Sequence, residues 1–545
     1  MPPPSSLSDL SRTELESLLI DLFGEVSGLK QLIVELREEI ARLKGQKGRP
    51  RIKPNAKPSG MEKATEPAKP LPRERPRGRG KVQPTVAVED KIIPIAIPEG
   101  SVFKGYKDYV VQDLIISVEA IRYRRVCWLT PDGKTIVAPL PEGVCGHFGP
   151  QLRRYVLMQY HQGQTTLPRL TAQLRAIGIA ISKRQIQRLL TEGQEAFLAE
   201  DQDVLRAGLE TAKWVSVDRV AKRTDVPEGV SRTDTGARHQ AKNGVCTQIG
   251  DDRFAAFRTT GSKSRLNFLG LLRGGHTDFV LNDIAFAYMR EHGLSKTLIA
   301  KLVEQPETCF AGPAAWKAHL ERLGFDAMKV TPNPIQVATE GALWGAVHAH
   351  GFLRDAVVLS DDAGQFNIGR HALCWVHAER LVHKLETFTA QHRAAQKLVR
   401  GMIWRFYAAL KAYRLKPSPR RCRALRAWFD RIFVRQTGFA TLDRLLARLH
   451  ANKDELLMVL ERPETPLHTN GSENDIRCQV TRRKVSAGTR SDLGRDCRDA
   501  FLGLVKTCIK QGIAFWDYLG DRFKVPGHRD VPPLADYLRW PGHPA

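Results

Sequence analysis

Four acidic residues draw attention by where they fall. Asp218 closes the run W-V-S-V-D, Asp361 and Asp362 follow the apolar run Val357-Val358-Leu359, and Glu473 lies in the polar stretch H-T-N-G-S-E-N-D. A carboxylate at the end of a strand-like run sits at the margin of a core, where its charge needs a cationic partner. Hard divalent cations want several oxygen donors at once, so a set of acids suits them. Two such ions about 3.5–4 Å apart can generate a nucleophilic oxygen and stabilise a departing one in phosphodiester cleavage. Arg477, Arg483, Lys484 and Arg490 follow Glu473 closely and would balance phosphate charge. Strand alternation sets Asp361 on the face of Val357 and Leu359, and Asp362 on that of Val358 and Ser360. One of the pair faces the metals squarely, and alternation does not say which.

The composition points to the same kind of partner. The chain has 545 residues, too many for one core, and 84 Lys+Arg against 59 Asp+Glu give a net charge of +25. A basic excess of that size suits a polyanion, most often nucleic acid. No apolar run is long enough to span a bilayer and none follows a charged leader, so the chain is expected in the cytoplasm, associated with the nucleoid, with no membrane partner. The nine cysteines are scattered and never form C-x-x-C, which argues against a disulfide framework or a zinc ribbon. Cys374-x-x-His377 has zinc-like spacing but lacks a second ligand pair, and with Trp375 it reads as a structural brace beside the acids.

The elements that must position these residues follow in order. Leu15, Leu22, Leu29, Leu36 and Leu43 recur every seven residues, with Leu19, Val26, Ile33 and Ile40 four residues after successive members. This predicts a coiled coil over 7–45 and a parallel homodimer through residues 15–43. Residues 46–89 are Pro-rich and basic and read as a linker. Residues 90–145 contain three strand-like runs, at 91–98, 109–118 and 123–130, and are expected to form a small β-rich unit. Residues 146–210 are helical and contain a helix-turn-helix pattern. Leu167, Leu170 and Leu174 line a first helix, Gly178 supplies the turn, and Ser182 caps a second helix. That second helix carries Lys183, Arg184, Gln185, Gln187 and Arg188, donors suited to base edges and phosphates of double-stranded DNA.

Residues 211–500 carry the acids. A strand ending at Asp218, a hairpin over 244–260 turning at Gly250-Asp251-Asp252, helical segments, and a later strand ending at Asp361 fit an α/β, ribonuclease-H-like sheet with helical insertions. In that sheet the first and fourth strands set carboxylates side by side. Helical pattern at 283–349 and 375–460 fills the sequence between the acids, as insertions around a fixed site do. A terminal helix and tail are expected over 501–545.

At these residues the sequence resembles the DDE transposases of the insertion sequence 66 family. Asp361 with C-W-V-H (Cys374, Trp375, His377), the run S-E-N-D-I-R-C-Q-V-T-R-R-K with Arg477, Arg483 and Lys484, and the ending K-T-C-I-K-Q-G-I-A-F-W-D-Y-L carry the resemblance. So does the order zipper, basic linker, helix-turn-helix, catalytic domain. The resemblance implies Asp218, Asp361 and Glu473 as a triad holding two Mg²⁺ (or Mn²⁺) ions, with strand cleavage and joining at element ends and on target DNA, and room for accessory proteins. The family pattern, an acid opening a short turn before an aromatic, matches Asp361 with Phe366 and makes Asp362 the runner-up. The chain departs from relatives in reading V-D-R-V at the first acid, in having only Cys127 and Cys145 before the helix-turn-helix, and in its long segment between Arg273 and Asp355. The competing readings are a non-catalytic, domesticated DNA-binding protein and a structure-selective nuclease on the same fold.

Overall fold

The computed structural model describes residues 87–96, 98–141, 147–220, 237–327, 330–387 and 389–540. The heptad stretch of residues 15–43 and the basic linker as far as residue 86 lie outside the described residues. Within 90–145 the structure corrects the expectation of a β-rich unit. The runs at 91–98 and 109–118 form no strand among the described residues, and only β1 (Cys127–Leu129) pairs, with β2 (Thr135–Val137), across the P-D-G-K turn. Alternation marks residues that would bury if paired, but pairing needs a partner strand, and Pro94 and Pro98 each remove a donor.

Helix α1 (Pro150–Leu157) runs into a π-helical turn at Met158–Gln162, and α2 (Leu167–Ala176) follows. The chain then turns at Gly178, whose φ of 95° disfavours any residue with a Cβ, into α3 (Lys183–Thr191). Ser182 opens α3 with a capping box: its Oγ accepts from Gln185 N, and Gln185 Oε1 accepts from Ser182 N at 2.8 Å. Leu170, Leu174, Ile186 and Leu190 bury between these helices and α4 (Glu195–Thr211).

The main sheet is built from β3 (Trp214–Val220), β4 (Ala237–His239), β5 (Lys242–Gly250), β6 (Ala255–Thr260), and later β9 and β10. β5 pairs antiparallel with β3, β4 and β6. The β5–β6 turn is pinned by Asp251, whose Oδ1 accepts from Arg253 N and Phe254 N. Helix α5 (Arg265–Leu272) then leads into the inserted segment. It holds β7 (Phe279–Val280) paired with β8 (Cys309–Phe310), and the helices α6 (Asp283–Glu291), α7 (Lys296–Val303), α8 (Pro313–Arg322) and α9 (Pro334–Ala349). Helix α9 is buried along almost its whole length and returns the chain to β9 (Val357–Ser360). β9 lies parallel to β3 on one side and to β10 (Arg370–Leu373) on the other. Omitting short β4, the order across the sheet is β10-β9-β3-β5-β6.

The two faces of this sheet bury different partners. Val215, Val217 and Val358 belong to the large core shared with α4, the inserted segment and the C-terminal helices. Trp214, Val357, Leu359 and Ala372 point the other way and meet Met458. On that side stand α10 (Trp375–His383), α11 (Ala390–Leu415), α12 (Pro419–Phe433) and α13 (Ala440–Ala451), gathered around Trp375, which packs on Phe406, Phe429 and Phe433. Helix α14 (Asn470–Ser486) follows, then α15 (Asp492–Lys510), α16 (Phe515–Arg522) and α17 (Leu534–Arg539). The terminal helical part therefore begins at Ser491, which caps α15 through Gly494 N, ahead of the boundary expected at 501. The closing helix is also two helices, broken at Gly512, whose φ is 71°.

Candidate active site

Register brings the first two acids level. β3 and β9 are parallel, with Trp214 beside Val357 and Ser216 beside Leu359. Two residues further along each strand direction stand Asp218 and Asp361, on the face shared by Trp214, Ser216, Val357 and Leu359. Asp361 follows the last residue of β9, where the chain leaves the sheet. Its departure is braced by Ser360, whose Oγ donates to the Asp361 carbonyl and meets His371 Nε2 at 2.8 Å. His371 Nδ1 in turn lies 3.0 Å from Glu455 Oε1. Asp361 Oδ1 is buried and has no hydrogen-bond partner among the described residues.

Asp362 points elsewhere. It forms an ion pair with Arg448 of α13 and accepts from Asn452 at 3.5 Å.

Helix α14 brings the third acid to the same face. Ile476 buries against Cys246 and Phe257 of β5 and β6, and Ser472 Oγ donates to Ser216 Oγ, two residues before Asp218. Asp475 holds the helix to α15 through Lys510 at 2.8 Å and Lys506 at 3.5 Å. Glu473 thus sits in the first turn of a helix fixed against β3. Its Oε1 is buried without a hydrogen-bond partner among the described residues and lies 3.6 Å from His377 Nε2.

Cys374 is buried at the start of α10, and its sulfur accepts from Thr469 N at 3.4 Å and Thr469 Oγ1 at 3.5 Å. Its backbone N–H donates to the Ser360 carbonyl, and Trp375 Nε1 donates to the Leu456 carbonyl at 2.8 Å. Burial opposes protonation of His377, but the neighbouring Cys374 sulfur and the Glu473 carboxylate outweigh it and hold the imidazole up at about 9. Burial likewise pushes the Cys374 thiol up, and His377 and Thr469 outweigh it and bring it below its ordinary value. C-W-V-H therefore ties the end of β9, the start of α14 and Glu473 together.

The acids fit a divalent cation by donor chemistry: two buried carboxylate oxygens, one just after a strand and one from a helix, lack a hydrogen-bond partner among the described residues. The groups whose donors all come within 4.8 Å of one another among the described residues are elsewhere, at His276, Asp278 and His350 and at Asp521, His528 and Asp530. Asp218, Asp361 and Glu473 are not among those groups.

The basic residues expected to meet DNA fall in two places. On α3, Lys183, Arg184, Gln187 and Arg188 are exposed, and Arg188 also pairs with Glu192 at 3.5 Å. Gln185 differs, because its amide oxygen closes the capping box. On α14, Arg477 and Lys484 are exposed and Arg483 is half-buried. Arg482 does what no spacing suggested: it is buried, its guanidinium lies 3.5 Å over the Tyr160 ring, and it donates to the Thr165 carbonyl just ahead of α2. Ser216, Ser472, His371 and Glu455 are equally invisible to sequence reasoning. Only the adjacency of Ser472 to Glu473 offers a signal.

Residues 344–496 match the family described as "Transposase IS66 family". The chain is also 48% identical over 332 residues to the "Uncharacterized protein y4jO" of Sinorhizobium fredii (strain NBRC 101917 / NGR234), which covers 61% of this chain and 98% of that relative. No solved structure matches.

Proposed function

The chain belongs to the IS66 family of transposases, and from that premise we propose that it cleaves and joins DNA strands at the ends of an insertion sequence, with Asp218, Asp361 and Glu473 as its metal-holding acids. The observation that supports the reading is that β3, which carries Asp218, lies parallel to β9, which Asp361 follows, while Ser472, next to Glu473, hydrogen-bonds to Ser216 of β3. The sheet order β10-β9-β3-β5-β6, with an antiparallel β3-β5-β6 meander and parallel β9 and β10, supports a ribonuclease-H-like fold.

Mg²⁺ or Mn²⁺ ions held by these acids would supply an activated oxygen nucleophile and charge stabilisation for the leaving oxygen. The chain's own residues do the rest. Asp218 presents its carboxylate from β3, and Asp361 presents its own from the residue just after the parallel neighbour β9. Glu473 lies beside His377, whose imidazole orients the carboxylate. Arg477, one turn beyond Glu473 on α14, and Lys484 further along offer cations to the phosphates that flank the scissile bond. Helices α2 and α3 form a helix-turn-helix that reads the terminal repeats, with Lys183, Arg184, Gln187 and Arg188 turned to DNA. Arg482 links that unit to the helix bearing Glu473. Dimerisation through residues 15–43 would bring two such units to two ends.

The test is Mg²⁺-dependent nicking of a duplex carrying the inverted repeats that flank the coding sequence. The unaltered chain should nick it, and Asp361→Asn and Glu473→Gln should not. Equal nicking by all three removes the triad. Binding without nicking by the unaltered chain, under every divalent cation tried, leaves a DNA-binding protein in its place.

A further inference from the structure

The inserted segment between β6 and β9 holds a second group of donors, well separated in sequence from the three acids. His276 and Asp278 lie in the loop between α5 and β7, and His350 caps the C-terminus of α9. One ligand atom from each comes within 4.8 Å of the others. His350 Nε2 lies 2.9 and 3.0 Å from the two Asp278 oxygens, and the His276 and His350 rings stack at 3.6 Å.

The loop carrying two of these donors is packed into place. Gly274 and Gly275 have φ of 60° and 86°, and a Cβ at Gly274 would stand 2.8 Å from the Phe352 ring. Arg206 Nε donates to the Gly274 carbonyl at 2.8 Å, Arg273 Nη1 to the Asp278 carbonyl at 2.6 Å, and Thr277 Oγ1 to the Ala311 carbonyl at 3.0 Å. The backbone at both ends of the cluster is therefore positioned before any ligand arrives, which lowers the ordering cost of binding.

We infer that His276, Asp278 and His350 form a site for one zinc-class divalent cation, which fastens the start of the inserted segment to its end. Two imidazoles and a carboxylate select zinc-class metals over Mg²⁺ or Ca²⁺, which prefer all-oxygen shells. Three protein donors leave a fourth, tetrahedral position for water. Stacked rings hold their lone pairs in parallel planes rather than converging on one point, so capture of the ion turns the His276 ring about its χ angles while the loop backbone stays. The guanidiniums of Arg206 and Arg273 support that backbone from outside, as residues behind metal ligands do.

The experiment uses the full-length, untagged chain carrying Asp218→Asn, Asp361→Asn and Glu473→Gln, so that the proposed catalytic acids contribute no metal and their assignment does not affect the result. After dialysis with Zn²⁺ and removal of free metal, bound zinc is counted per chain. Adding His350→Gln, or separately Asp278→Asn, should lower the count by one, with affinity reduced at least about tenfold. A positive control guards against simple misfolding: His276→Cys should keep the ion, and with Co²⁺ it should add a thiolate-to-metal charge-transfer band in the near ultraviolet. An unchanged zinc count in His350→Gln overturns the site, as does a folded His276→Cys chain without the band. Either result would leave the His350–Asp278 contact as an ordinary hydrogen-bonded pair.

Discussion

His377 Nε2 stands 3.6 Å from Glu473 Oε1, joining the end of one sequence motif, C-W-V-H, to the acid of another that lies far along the chain. Side chains that orient a metal-holding acid commonly carry about 10–100-fold of its affinity or activity. His377→Ala is therefore expected to lower metal-dependent nicking by about that factor while the thermal midpoint stays close to that of the unaltered chain. Raising the Mg²⁺ concentration should recover part of the loss. A variant as active as the original at limiting Mg²⁺ would falsify this role.

The two neighbouring aspartates should behave differently. Asp361→Asn is expected to abolish nicking. Asp362→Asn should leave it near normal and change stability by no more than about 1 kcal/mol, because Asp362 and Arg448 form a partly exposed ion pair with side chains 33% and 57% accessible. Parallel nicking assays and denaturant melts of both variants decide the matter, and the opposite ranking would move the second acid to Asp362.

Replacing Lys183 and Arg184 together by Ala should weaken binding to terminal-repeat DNA. The slope of log affinity against log salt should become shallower by roughly one for each phosphate no longer neutralised. Ser182→Ala is the contrasting case, costing about 1 kcal/mol of stability through removal of the cap. Fluorescence anisotropy at several salt concentrations separates the two; an unchanged slope in the double variant removes α3 from the DNA.

Stability should fall on the acid side. His161 is buried, stacked on Phe501 at 4.3 Å, and its Nε2 has no hydrogen-bond partner among the described residues. Burial, then the Arg482 charge, hold it well below the ordinary 6.5. The unfolded chain takes up a proton near that ordinary value and the folded chain does not. This contribution is fully present above pH 6.5 and is lost as pH falls below it, by at most about 1.4 kcal/mol per unit. His161→Phe keeps the stack and removes the titration, so its melting midpoint should fall less between pH 7 and 5. Parallel curves for both chains would count against it.

Much of the local structure is legible from sequence because its causes are local. Ser182 three residues before Gln185 specifies a capping box whatever the rest of the chain does, and Asp251 after Gly250 makes a turn from its own side chain and nearby amides. The stretches at 91–98 and 109–118 mislead for the converse reason, since a run of strand-forming residues describes only half of a pairing. Its residue type makes Gln185 a candidate donor to DNA, whereas the first turn of a helix has amides of its own to satisfy.

By itself, the sequence determined which residues could serve: carboxylates at strand and helix ends, cations behind Glu473, and a helix-turn-helix pattern with its cap. Tertiary structure alone decided which of them meet. Alternation along one strand is a property of consecutive residues and leaves Asp361 and Asp362 equivalent, but the fold pairs Asp362 with Arg448 and leaves a buried Asp361 oxygen without a hydrogen-bond partner among the described residues. The Ser472–Ser216 hydrogen bond, the His377–Glu473 approach, and the His276, Asp278 and His350 group arise in the same way, between segments far apart in the chain. Their closeness depends on how helices and strands pack around shared cores, which no short window of sequence contains.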